Sequence, residues 1–84
     1  MTENKIGVVA MVVSDYDAAE RVNAVLHDFR DYIIGRMGLP YREKKVNVIS
    51  VVLDAPQETL NALSGKLGMI EGVTGKLVTH GSAK

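Results

Sequence analysis

The stretch Ile6-Gly7-Val8-Val9-Ala10-Met11-Val12-Val13 is apolar, rich in β-branched residues and free of helical periodicity. Branching at Cβ suits a pleated sheet better than a helix, so the stretch predicts a strand. Val46-Asn47-Val48-Ile49-Ser50-Val51-Val52-Leu53 has the same character and predicts another. Successive side chains of a strand point to opposite faces. Ile6, Val8, Ala10 and Val12 therefore share one face, and Gly7, Val9, Met11 and Val13 the other. In the second stretch Val46, Val48 and Val52 oppose Ile49, Val51 and Leu53. Only Asn47 and Ser50 interrupt, so both faces of both strands are apolar.

Outward from the first stretch, Ser14-Asp15-Tyr16-Asp17 stops the strand and offers helix N-caps, with Glu20 three residues after Asp17 as in a capping box. Ala18, Val22, Val25, Leu26, Phe29 and Ile33 then recur at helical spacing, opposite Glu20, Arg21, Asn23, Asp28, Arg30 and Asp31. This predicts an amphipathic helix from about Asp17 to Tyr32. Gly35 and Gly38 break it. The alternating segment Ile33 to Tyr41 predicts a short strand, and Pro40 restricts that strand to a sheet edge. Arg42-Glu43-Lys44-Lys45 is a polar turn. Asp54-Ala55-Pro56 opens a second helix, with Pro56 in a first-turn position and Leu60, Leu63, Leu67 and Ile70 as its buried stripe. Gly68 and Gly72 end it, Val73 to Thr79 predicts a last strand, and residues 81–84 form a frayed tail.

The order strand, helix, strand, strand, helix, strand, with right-handed crossovers, gives a four-stranded antiparallel sheet with both helices on one face. The expected class is α+β, a ferredoxin-like βαββαβ sandwich with strands 1 and 3 central, formed by residues 1–84 as one domain. Two helices cover one face only. An apolar second face is unusual in a monomer and marks an interface, so a homo-oligomer, dimer or tetramer, is expected. Val9, Met11 and Val13 with Ile49, Val51 and Leu53 are assigned to that interface.

The chain has 84 residues, ten basic and ten acidic, and no cysteine. A domain this small gains from a partner, and without cysteine neither disulfides nor thiolate metal sites are open to it. Zero net charge supplies no overall field for nucleic acid or an anionic membrane. The eight-residue apolar run is too short to span a bilayer, and a soluble cytoplasmic protein is expected.

Arg21-Val22-Asn23, Leu26-His27-Asp28-Phe29, Arg36-Met37-Gly38-Leu39-Pro40 with Arg42-Glu43, and above all Ala62-Leu63-Ser64-Gly65-Lys66-Leu67-Gly68 followed by Ile70 and Gly72-Val73 carry a resemblance. Over nearly its whole length the chain resembles the small regulators encoded with iron-only hydrogenase maturation genes. That family is similar to ACT-type ligand-sensing domains and to the C-terminal domain of the nickel-responsive repressor. The resemblance implies an ACT-like oligomer that takes small effectors or metal at interfaces. The sequence departs from both relatives: Asp15-Tyr16-Asp17-Ala18 stands where an ACT domain often has Pro-Gly, and only His27 and His80 are present where the repressor has several histidines and a cysteine.

Ser14 and Asp15, with Ser64, Gly65 and Lys66, are the candidate effector-binding residues. Ser64-Gly65-Lys66 is not a P-loop, because Leu60 and Leu67 occupy positions that motif fills with glycine and a hydroxyl residue. Its structural explanation is close packing of helix 2 at Gly65 and termination at Gly68. Arg36, Tyr41 and Arg42, with Lys44 and Lys45, form a local basic patch that could meet a protein partner. Gly35-Arg36-Met37-Gly38 has the form of a KH loop, which joins two helices and grips single-stranded nucleic acid; the extended segment after it argues against that use. Two histidines make no metal site, and no catalytic constellation is present, so neither cofactor, metal nor enzymatic activity is expected. An effector-sensing regulator is the leading expectation; an interaction adaptor without a small-molecule ligand is the alternative, and a KH-like nucleic-acid binder ranks third.

Overall fold

The structure, a computed structural model, describes residues 3–80; the tail expected at 81–84 lies outside them. The elements are β1 (Asn4–Val13), α1 (Tyr16–Asp28), a 3-10 turn (Arg30–Tyr32), β2 (Ile33–Tyr41), β3 (Val46–Pro56), α2 (Gln57–Gly68) and β4 (Val73–Thr79). The sheet order is β2-β3-β1-β4 with every pair antiparallel, so β1 and β3 are central, as expected for the ferredoxin-like α+β arrangement.

Three boundaries differ from expectation. Phe29 leaves helical geometry (φ −106°, ψ 15°), and its N–H reaches back to Leu26 O at 3.1 Å. The chain tightens there into a 3-10 turn, so α1 stops at Asp28. The N-cap of α1 is Asp15, whose Oδ1 accepts from Asp17 N at 3.0 Å. Strand β3 continues past Leu53, pairing Ala55 with Lys5 and Pro56 with Asn4, and leaves Pro56 as the N-cap of α2.

Pairing fixes which side chains share a face. Val9 lies opposite Val51, Met11 opposite Ile49 and Gly7 opposite Leu53. On this face they meet Ala18, Val22 and Leu26 of α1 and Leu60, Leu63 and Leu67 of α2, all buried. The assignment of Val9, Met11, Val13, Ile49, Val51 and Leu53 to an intermolecular interface is therefore corrected: helices of the same chain bury all six. Alternation yields two apolar faces, and the helices cover the one that contains Gly7. A Cβ at Gly7 would stand 2.9 Å from Leu60 Cδ2, so α2 approaches the sheet where β1 has no side chain.

The open face carries the other parity. Across it run Leu39, Val48, Val12 and Thr74; then Met37, Ser50, Ala10 and Lys76; then Gly35, Val52, Val8 and Val78. Tyr41 and Val46 form one end of this surface and Ile6 with Asp54 the other.

Candidate functional site

At the end of the sheet where β1 stops, the β1–α1 loop faces the β2–β3 hairpin across a cleft of about 410 Å³. Ser14, Asp15 and Tyr16 line one side, and Tyr41, Arg42, Lys45 and Asn47 the other, with Val13, Pro40 and Val46 as apolar floor. The loop is held from behind. Ser14 donates to Gly72 O through its backbone N–H (2.8 Å) and its hydroxyl (3.1 Å). Gly72 has φ +92°, where a side chain would be strained, and a Cβ there would lie 3.0 Å from Asp15 Cβ. The hairpin is tied differently. Lys45 adopts φ 57° and its N–H donates to Arg42 O at 3.1 Å. A lysine in this left-handed region costs about 1 kcal/mol, and the turn places both cations at the cleft.

Tyr41 donates to Glu43 Oε1 at 2.7 Å. That hydrogen bond to a carboxylate, together with some loss of hydration, raises the phenol above its ordinary 10.0. The Tyr41 hydroxyl is therefore a protonated donor throughout the neutral range. Glu43→Ala removes the acceptor, and the expected result is a Tyr41 titration that moves down toward the ordinary value, followed by NMR of the labelled ring. An unchanged titration would show that the bond does not form in solution.

The sequence candidates divide between places. Ser14 and Asp15 share the cleft with Tyr41 and Arg42, which the sequence reading had kept in separate sites. Ser64, Gly65 and Lys66 line neither this cleft nor the smaller hollow along α1. Gly65 does not allow close packing as expected: it is exposed, and a Cβ there would meet nothing within 4 Å. Lys66 instead sets its ammonium 5.9 Å from the Phe29 ring centroid, a contact worth about 0.5–1 kcal/mol at an exposed site. Arg36 leaves the basic patch as well. Its Nη2 donates to Asn23 Oδ1 at 3.0 Å, beside a hollow of about 350 Å³ lined by Asn23, Leu26, His27, Arg30, Ile33 and Arg36. Arg30 there donates to His27 O at 2.9 Å, satisfying a carbonyl at the end of α1.

The KH-like reading is corrected, because Gly35 to Gly38 lies inside β2 rather than between helices. Among the described residues no group of three or more His, Cys, Asp or Glu is placed to hold a metal ion, and no helix is long and apolar enough to cross a membrane. The sequence reading names Lys45 only as part of the basic patch and misses Asn47; both line the cleft. The signal for Lys45 was its place as last residue of a four-residue hairpin loop, where left-handed geometry is common.

The structure of the protein TM1266 from Thermotoga maritima is similar to this chain at 39% identity and TM-score 0.90, over 94% of this chain and 100% of that one. The divalent ion tolerance protein CutA1 from Ehrlichia chaffeensis aligns at 14% identity and TM-score 0.48, over 100% of this chain and 85% of that one. No curated protein matches significantly. A family model matches residues 5–77 under the description "Iron-only hydrogenase system regulator, putative", and on that match the chain belongs to the TM1266-like family.

Proposed function

We propose that the chain is a non-catalytic, effector-sensing regulator of an iron-only hydrogenase system that works as a homo-oligomer, with its effector held in the cleft between the β1–α1 loop and the β2–β3 hairpin. The observation that carries this reading is the convergence of Arg42, Lys45, Asn47, Tyr41 and Ser14 on one concavity of small-ligand size. Two cations and an amide beside the start of α1 suit a small carboxylate or phosphate, while the Tyr41 and Ser14 hydroxyls give their protons to Glu43 and Gly72 O and shape the wall. Asp15 already spends its carboxylate on capping α1. The adaptor reading needs Arg36, Tyr41 and Arg42 on one surface, whereas Arg36 bonds to α1 and the other two line the cleft.

A thermal-shift panel of small carboxylates, sugar phosphates and nucleotides tests the proposal. A ligand at a hundredfold excess over its Kd stabilises the native state by about 2.7 kcal/mol, a rise of roughly 10–20 °C for a domain of this size. The shift is expected to vanish in an Arg42→Ala, Lys45→Ala double variant. A panel without any shift, or one whose shift survives in that variant, overturns the cleft assignment.

A further inference from the structure

The open face of the sheet is an apolar surface that the helices leave uncovered. Among the described residues, seven of the eleven exposed large apolar side chains lie on it: Ile6, Val12, Met37, Leu39, Tyr41, Val48 and Val78. Their exposures run from 39% to 68%, which amounts to on the order of 700 Å² per copy, close to the ~800 Å² per partner of a standard stable interface. Half-buried Val8, Val46 and Val52 fill the gaps between them. The charged residues paired into this face are Asp54, beside Ile6 at one end, and Lys76, on the outer strand β4. Ala10 and Ser50 stand at the centre, paired with each other. Small, uncharged residues in the middle let two such sheets approach closely, with the larger side chains interdigitating around them.

We infer that this face is covered by the same face of a second copy in a two-fold, sheet-on-sheet dimer, and that the cleft opens at the rim of this interface. A second copy is the occupant that matches the surface chemically, because the face is apolar, nearly neutral and of the area one protomer's equal face would bury. Tyr41 and Val46 belong to both regions: they close the open face at one end and line the cleft. The partner's sheet therefore abuts the cleft wall, and occupancy of the cleft and pairing of the sheets bias one another reciprocally. This inference rests on the homo-oligomeric reading and names its surface.

Sedimentation equilibrium of the full chain across a concentration series, with Val12→Glu, Leu39→Glu and Met69→Gln variants, tests it. Met69 is 87% exposed but lies outside the open face, at the end of α2. The wild type is expected to run at twice the 9.1 kDa chain mass or a multiple of it. Each Glu variant, which places two carboxylates in the apolar interface, should weaken association by roughly a hundredfold or more, while Met69→Gln leaves it unchanged. Circular dichroism of the Glu variants reports that the chain remains folded. A monomeric wild type overturns the inference, whatever the thermal-shift panel finds. An associating wild type whose Glu variants associate equally well also overturns it, although the chain is then still an oligomer through another surface. Loss of ligand binding with association intact leaves the dimer standing and counts against the cleft alone.

Discussion

Leu60→Ala is expected to lower stability by about 2–5 kcal/mol, the range for deleting a large aliphatic side chain from a packed core. An 84-residue chain has roughly 4–12 kcal/mol to lose, so the urea midpoint should fall by about a sixth at the least. The size of the effect follows from position. Leu60 is fully buried in the first turns of α2, and its methyl groups lie against Gly7 of β1. The contact makes a sharper forecast possible. Gly7→Ala alone places a Cβ 2.9 Å from Leu60 Cδ2, 3.0 Å from Cδ1 and 3.3 Å from Leu77 Cδ1, and overpacking of this kind costs about 1–3 kcal/mol. In the double variant the new methyl occupies space that the leucine vacates. The double variant should therefore be less destabilised than the sum of the singles, by on the order of 1 kcal/mol or more. Strict additivity in denaturant titrations would show that α2 does not rest on β1 at Gly7.

Gly72→Ala should cost about 2–4 kcal/mol from two sources, an L-residue forced to positive φ and a methyl forced into its neighbour. The neighbour is Asp15 Cβ at 3.0 Å, with Ala18 Cβ at 3.5 Å behind it. The damage extends beyond stability. Gly72 O is the acceptor for both bonds that hold Ser14, and Asp15 caps α1. Displacing Gly72 therefore moves the whole loop side of the cleft, and ligand-induced stabilisation should fall with the melting temperature. Gly65→Ala supplies a control of opposite sign. Its Cβ would stand in open space within α2, and alanine there should raise stability by about 0.5–1 kcal/mol. Equal melting temperatures for the two variants would contradict the geometry at Gly72.

The element order and the central place of β1 and β3 were legible because period-2 and period-3.6 patterns separate cleanly in this chain. What alternation could not supply was the identity of the covered face, since both parities of β1 and β3 are valine-rich. The clue was Gly7. A glycine in an otherwise branched strand marks the place where another element comes close, and it shares parity with Val9, Met11 and Val13. The ends of α1 and β3 were misjudged for local reasons. Phe29 continues the apolar stripe but takes a 3-10 bond, and Pro56 is an N-cap rather than a first helical residue. Half of the candidate site was legible. Ser14, Asp15, Tyr41 and Arg42 were singled out, yet their juxtaposition depends on where the β2–β3 hairpin lands relative to β1, a relation about thirty residues long in sequence. Ser64-Gly65-Lys66 drew attention by composition alone and lies elsewhere.

Among the described residues, strand β2 borders the sheet and one side of its backbone has no strand partner. Such a border is a template for further strands, and chains that accept them grow into ribbons and cross-β fibrils. Pro40 sits in this border, paired inward with Asn47. At an edge, proline's missing N–H falls on the outer side, so an incoming strand finds one rung absent. The register shift between Ile33 and Gly35 bends the other end of the same strand. Of the two borders of the sheet, β2 and β4, β2 thus carries a device against strand addition in its backbone, and loss of Pro40 is expected to show as turbidity or thioflavin binding on storage.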